Sequence, residues 1–214
     1  MKRPERQLSS AKNGEAARQR SAPPRSALDA RLRRPSSGRL SRHVLNTRLS
    51  GVRLLLTDVD GVLTDGSVFI TAEDEFKQFS IQDGLGLVLL RKCGIKVGWI
   101  SARPSAITAR RAKELDIDFL SQEKKSKIAA AEKILDTTGL NWAEVCFVGD
   151  DVVDLCLLKR AGVSIAVANA ITEAKAVAHY VTRARGGHGA IREVVTMILK
   201  AQGKWVQLVR HFTE

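Results

Sequence analysis

From residue 52 onward the chain alternates short β-branched and aliphatic runs with helical stretches, and this rhythm narrows the fold more than any other feature. Runs at 53–57, 96–100, 118–120, 145–148, 163–167 and 180–182 read as strands; 85–92, 104–115, 125–136, 152–159, 171–178 and 190–202 read as helices. Pro104 suits a first helical position, where its missing N–H has no partner to lose. Strand–helix alternation implies an α/β, Rossmann-like parallel sheet sandwiched by helices, with right-handed crossovers. Ligands then bind beyond the carboxyl ends of the strands. One stretch breaks the rhythm. "GSVFITAEDEFKQFSI", residues 66–81, reads as a β-hairpin flap after the first strand, with a polar turn at 72–75. Its Val68, Ile70, Phe76, Phe79 and Ile81 are more large apolar residues than a solvated flap should carry.

The net charge of +12 suggests nucleic acid as a partner, but its distribution argues otherwise. Residues 1–50 hold 13 Lys or Arg against 3 acids, whereas the remaining 164 hold 22 against 20. The basic character belongs to a tail, rich in Arg, Ser, Ala and Pro and without aromatic residues. Such a composition buries too little apolar area to offset its ordering entropy, so residues 1–48 are expected to be a disordered basic tail. A transit peptide, a nucleic-acid arm and a dispensable extension all fit it, the last best. Nucleic acid is then expected to meet only non-specific tail contacts. The domain proper is expected over 49–203, with 204–214 as a C-terminal extension. No apolar run approaches the roughly 18 residues of a membrane span. Cys93, Cys146 and Cys156 are widely spaced in apolar surroundings, which points to reduced thiols in a cytoplasmic protein.

Four expected strand ends carry chemistry. "LLLTDVDGVLTDG" supplies Asp58 and Asp60, and "GWISARP" supplies Ser101 and Arg103. "SQEKKSKIAA" brings lysines, and "FVGDDVVD" brings Asp150, Asp151 and Asp154. Carboxylates from two strand ends can converge on one hard cation, since Mg²⁺ takes one or two carboxylates plus waters and phosphate oxygens. A lysine and a hydroxyl nearby would offset phosphoryl charge, most of what phosphoryl transfer asks of a protein. Taken singly, each signal is an ordinary turn, cap or solvated lysine.

As an ordered set over residues 52 to about 203, "DVDGVLTDG", "ISAR", a lysine and "GDDVVD" resemble the four motifs of the haloacid dehalogenase superfamily. "SIAVANA", "YVTRARGGHGAIREV", "QGK" and "EFKQFSIQDGLG" narrow the resemblance to its phosphatases of acidic sugars, above all of an eight-carbon octulosonate 8-phosphate. A nine-carbon nonulosonate 9-phosphate is the alternative substrate. The resemblance implies a Mg²⁺-dependent phosphatase with Asp58 as nucleophile, forming an aspartyl-phosphate, and Asp60 as acid and base. Asp58, the backbone carbonyl of Asp60, and Asp150 would hold the metal. Asp151 could replace Asp150 but fits the motif less well, and Asp154 would support the shell. Ser101 and Lys127 would hold phosphoryl oxygens, family spacing favouring Lys127 over Lys124 and Lys125. Lys77, Gln82, Arg103 and His188 would contact the sugar phosphate, although relatives commonly carry a basic residue in place of Gln82.

Superfamily members often insert a cap domain, but neither gap between motifs has room for one. Asp60 to Ser101 holds only the hairpin and one helix, and Arg103 to Lys127 one helix and one strand. An open site needs walls from elsewhere. The resemblance implies a homotetramer in which hairpins assemble and a neighbour covers each site, the 186–189 loop helping to close it.

Overall fold

The computed structural model describes residues 38–72, 74–124 and 126–213; the expectation of disorder for residues 1–37 lies outside them. In chain order the elements are α1 (Arg42–Ser50), β1 (Leu54–Thr57), β2 (Phe69–Ile70), β3 (Glu75–Phe76), α2 (Ile81–Lys92), β4 (Lys96–Ile100), α3 (Ala106–Glu114), β5 (Phe119–Ser121), α4 (Lys127–Thr138), β6 (Val145–Gly149), α5 (Leu155–Leu158), β7 (Val163–Ala166), α6 (Thr172–Val177), β8 (Tyr180–Val181), α7 (Ala190–Ala201) and α8 (Trp205–Arg210).

Among the described residues, six strands form one sheet in the order β5-β4-β1-β6-β7-β8, every neighbouring pair parallel. β1, β6 and β7 are buried throughout, which explains why they read as unbroken apolar runs rather than alternating ones. The chain leaves β1 toward β4 and β5, then returns to β6 on the other side and continues to β7 and β8. The strand order therefore reverses between β1 and β6, where a crevice opens at the carboxyl ends. Asp58 directly follows β1 and Asp150 directly follows β6. Among the described residues no cap domain interrupts the fold.

α7 buries Ile191, Val194, Val195, Ile198 and Leu199, one helical stripe, and packs against α1 and α2. α4 packs on α5, and α5 on α6. No helix among the described residues is long and apolar enough to cross a membrane.

Several expected boundaries move. The tail does not extend to residue 48. Ser41 caps α1 by accepting the Val44 N–H, and Leu45 and Leu49, one turn apart, are buried in the core. The Arg- and Ser-rich average of the first 50 residues hid this local pair. Nor does the packed chain stop at 203, because Trp205 and Leu208 of α8 pack on the core and Arg192 lies over the Trp205 ring at 5.3 Å. Pro104 is not at a first helical position: Ser105 is the cap of α3, accepting the Thr108 N–H, so Pro104 precedes it. The hairpin is shorter than 66–81. Only Phe69–Ile70 and Glu75–Phe76 pair, and Ile81 opens α2, whose cap is Ser80. Phe79 does not face outward with its neighbours; it stacks on the buried Trp99 at 6.3 Å.

Candidate active site

The β1–β6 ladder delivers the first carboxylate. The Asp58 N–H donates to the Val148 carbonyl at 3.0 Å, continuing the sheet pairing by one residue and fixing where its side chain emerges. Asp58 is buried, with Oδ1 2.9 Å from Lys127 Nζ. Lys127 is the first residue of α4 and is itself buried. Its Nζ also donates to Asp154 Oδ1 at 2.8 Å. Asp154 Oδ2 accepts the N–H groups of Asp150 and Asp151, at 2.9 and 3.3 Å. One ammonium thus stands between two buried carboxylates, and Asp154 ties it to the turn that carries Asp150.

The negative charge exceeds that one countercharge. Carboxylate oxygens of Asp58, Asp150 and Asp154 all lie within 4.8 Å of one another. Burial, reinforced by Asp154, pushes the Asp58 carboxyl up to about 7 despite Lys127. Burial and then the neighbouring Asp58 push Asp150 up to about 8. Lys127 moves the other way from a lone buried lysine: desolvation disfavours its charge, but the two carboxylates outweigh it and raise its pKa. Asp150 Oδ1 is buried without any hydrogen-bond partner. Both oxygens of Asp154 are committed to Lys127 and backbone, so Asp58 and Asp150 are the pair with room for a divalent cation. An orphaned carboxylate oxygen inside an over-charged acid cluster fits a hard, oxygen-seeking ion.

Asp60 points elsewhere. Its Oδ1 lies 2.7 Å from Lys77 Nζ, and its Oδ2 has no hydrogen-bond partner. The Asp60 carboxylate is absent from the acid cluster, so any part it takes in metal binding falls to its backbone carbonyl. The turn past Asp60 needs glycine: Gly61 has φ +94°, and a Cβ there would collide with the Asp150 carboxylate.

Ser101 follows β4 and is buried; its Oγ accepts the Arg103 N–H at 3.0 Å and donates to the Arg103 carbonyl at 3.1 Å. The residues expected on the substrate divide. Lys77 is not free to line a wall: its side chain is 0% exposed, paired with Asp60 and donating to Thr108 Oγ1. Arg103 pairs with Glu75 of the hairpin, leaving one guanidinium nitrogen without a partner. Gln82 and His188 are exposed, with Gln82 facing the Gly189 backbone. Asp151 is exposed and caps the turn at 152–154 through the Val152 N–H, so it is not in the acid cluster. Of the candidate lysines, Lys124 is exposed and Lys125 lies outside the described residues.

Three residues that the sequence reading gave no role complete the site's frame. Glu75 accepts from both Arg103 and Ser105, which hold its carboxyl below the usual range. Its two-residue spacing from Lys77 and Phe79 was the available signal, since all three face the body of the protein. Asp83 is buried and accepts the Gly189 and Arg192 N–H groups, capping α7 from α2. Asn169 bridges the Gly61 and Gly186 backbones. A groove of about 880 Å³ between β5 and α4 contains none of these acids.

A parallel sheet whose switch point carries a lysine-held aspartate, a second acid two residues on and an orphaned carboxylate is built for phosphoryl transfer. Residues 94–193 match the haloacid dehalogenase-like hydrolase family. A 3-deoxy-D-manno-octulosonate (KDO) 8-phosphate phosphatase of Yersinia pestis is 39% identical over 158 residues, 73% of this chain and 84% of that one. The Moraxella catarrhalis KDO 8-phosphate phosphatase, solved with magnesium, phosphate and KDO, is 36% identical and superposes with a TM-score of 0.78 over 80% of this chain and 99% of that one. A cobalt-bound Haemophilus influenzae phosphatase of the same octulosonate phosphate is 38% identical, with a TM-score of 0.71 over 73% and 92% of the two chains. The chain belongs to the haloacid dehalogenase superfamily and, within it, to the family of these phosphatases; it is a phosphoric monoester hydrolase.

Proposed function

We propose that the protein is a Mg²⁺-dependent phosphatase that converts KDO 8-phosphate to KDO and phosphate through an aspartyl-phosphate. The observation that carries this reading is the Lys127 ammonium seated between Asp58 and Asp154 beside a partnerless Asp150 oxygen. Lys127 fixes the Asp58 carboxylate in one orientation and favours its ionised form against burial. Asp58 then attacks phosphorus, dividing a hard displacement into two easier ones. Asp60 gives its proton to the departing sugar oxygen and later takes one from the hydrolytic water, help worth roughly 10²–10⁴-fold. Lys77 holds Asp60 in place for both transfers. Asp58 and Asp150, with the Asp60 carbonyl, would hold Mg²⁺, which supplies charge neutralisation for the phosphoryl group.

The assembly belongs to the same reading. Phe69, Ile70 and Phe76 are 64%, 76% and 57% exposed, while Glu75, Lys77 and Phe79 fasten the hairpin's other face to its own subunit. An outward apolar face on a held hairpin suits a homotetramer built through the hairpins. The free state of Cys93, Cys146 and Cys156 suits a reducing cytoplasm. Phosphate release by the purified protein from KDO 8-phosphate, a nonulosonate 9-phosphate and simple hexose phosphates, with Mg²⁺ and after chelation, tests the function. The expected result is a clear preference for the octulosonate ester, abolished by chelation and restored by Mg²⁺. Equal rates on all esters, or full activity without divalent metal, would refute it.

A further inference from the structure

Three loops meet beside Asp60, and one side chain touches the other two. Asn169 lies in the loop after β7. Its Nδ2 donates to the Gly61 carbonyl at 3.3 Å, and its Oδ1 accepts the Gly186 N–H at 2.7 Å. Those two glycines touch each other, since a Cβ on Gly186 would collide with the Gly61 carbonyl. Gly187 adds a bond from its N–H to the Val62 carbonyl at 3.0 Å. The loop carrying Asn169 is also anchored to the acid cluster, because the Ile171 N–H donates to the Asp150 carbonyl at 2.9 Å. Within the chain from Asp60 to Gly66, the Gly61 and Gly66 N–H groups share one acceptor, Thr64 Oγ1. The turn is therefore braced from inside by Thr64 and from outside by Asn169.

We propose that Asn169 is the positioning residue for Asp60. Resting on the phosphatase reading above, it sets where the acid stands relative to the nucleophile. It fixes the carbonyl of the next residue, whose N–H Thr64 holds from the other side. Losing Asn169 leaves Asp58 held by Lys127 and the sheet, so attack on phosphorus survives while delivery of the proton to the leaving oxygen suffers. As the P–O bond breaks, a sugar alkoxide needs that proton, whereas a nitrophenolate leaves without it.

The test compares Asn169→Ala and Asn169→Asp with the full-length protein on KDO 8-phosphate and p-nitrophenyl phosphate. Amide exchange over residues 59–66 and 186–187 is followed alongside. Asn169→Ala is expected to lower kcat on the sugar ester by about 10²-fold, the scale of general acid catalysis, and on the aryl ester by less than about threefold, with KM unchanged. Exchange should quicken in those two segments alone. Asn169→Asp keeps the acceptor for Gly186 and loses the donor to Gly61, so it should fall between Ala and wild type. An equal fall on both esters would overturn the inference. If wild type releases phosphate from the aryl ester but not from the sugar ester, the substrate reading has failed. Exchange then decides this inference alone, and unchanged protection of residues 59–66 in Asn169→Ala overturns it.

Discussion

Replacing Lys127 by methionine, which keeps the length of the side chain and removes its charge, should destabilise the protein in a strongly pH-dependent way. The ammonium sits 2.9 Å from Asp58 and 2.8 Å from Asp154, all three buried. Breaking a buried pair by removing one partner costs about 3–5 kcal/mol. For a domain of this size each kcal/mol shifts the melting temperature by about 2–4 °C, so a fall of roughly 6–20 °C is expected at pH 8 without divalent metal. The signs follow from the proton linkage. Lys127 is raised above its ordinary value, so its contribution is fully present below pH 10.5 and constant across the assay range. Asp58 and Asp150 are raised to about 7 and 8 from 3.8, so in the metal-free protein their burial disfavours folding increasingly as pH rises from about 4 to 8. At pH 5 the raised Asp58 already carries its proton, so Lys127 has less ion pairing to lose there than at pH 8, where Asp58 is ionised. Thermal denaturation by circular dichroism in EDTA at pH 5 and pH 8 measures both quantities. A smaller loss at pH 5 than at pH 8 is expected; equal losses at the two pH values, or a fall under about 2 °C at pH 8, would refute the electrostatic account.

Asp58→Asn should abolish phosphate release, and in EDTA at pH 8 it should melt above wild type because it removes a disfavoured buried charge; a lower melting temperature would contradict the reading of the acid cluster. Leu45→Ala should lose about 2–5 kcal/mol by urea denaturation, and removing residues 1–48 at least as much, since Leu45 belongs to the core. A truncated protein of unchanged stability would show that α1 is dispensable. Phe69→Asp with Phe76→Asp should give a folded, smaller species by light scattering, with activity on the sugar ester reduced more than on p-nitrophenyl phosphate. An unchanged mass would exclude the hairpins as the assembly surface.

The parallel sheet was legible because buried central strands announce themselves as short, largely apolar runs, and 54–57, 97–100, 145–149 and 163–166 do so. Asp58 and the Asp150–Asp151 pair were legible because they directly follow strands, whereas preferring Asp150 to Asp151 and Lys127 to Lys124 and Lys125 rested on the family resemblance. Side chains whose roles depend on distant partners were not legible. Lys77 reads as a substrate contact on a flap until Asp60 and Thr108 are seen around it. Asn169 stands in a stretch of small residues, and both its partners come from other loops. Asp83 looks like a helix's own first-turn acid yet caps a different helix. The α1 boundary failed for another reason: composition averaged over 50 residues cannot register a single leucine pair.

The contact of Gly186 with the Gly61 carbonyl joins the turn after the first strand of the sheet to the segment after its last. During synthesis the ribosome releases the turn after β1 early and the segment that seats against it late. A nascent chain that has already paired β1 with β4 and β6 still lacks the segment that seats against Gly61. Any product ending before Gly186 would carry every acid of the cluster and leave the turn that follows Asp60 unclasped.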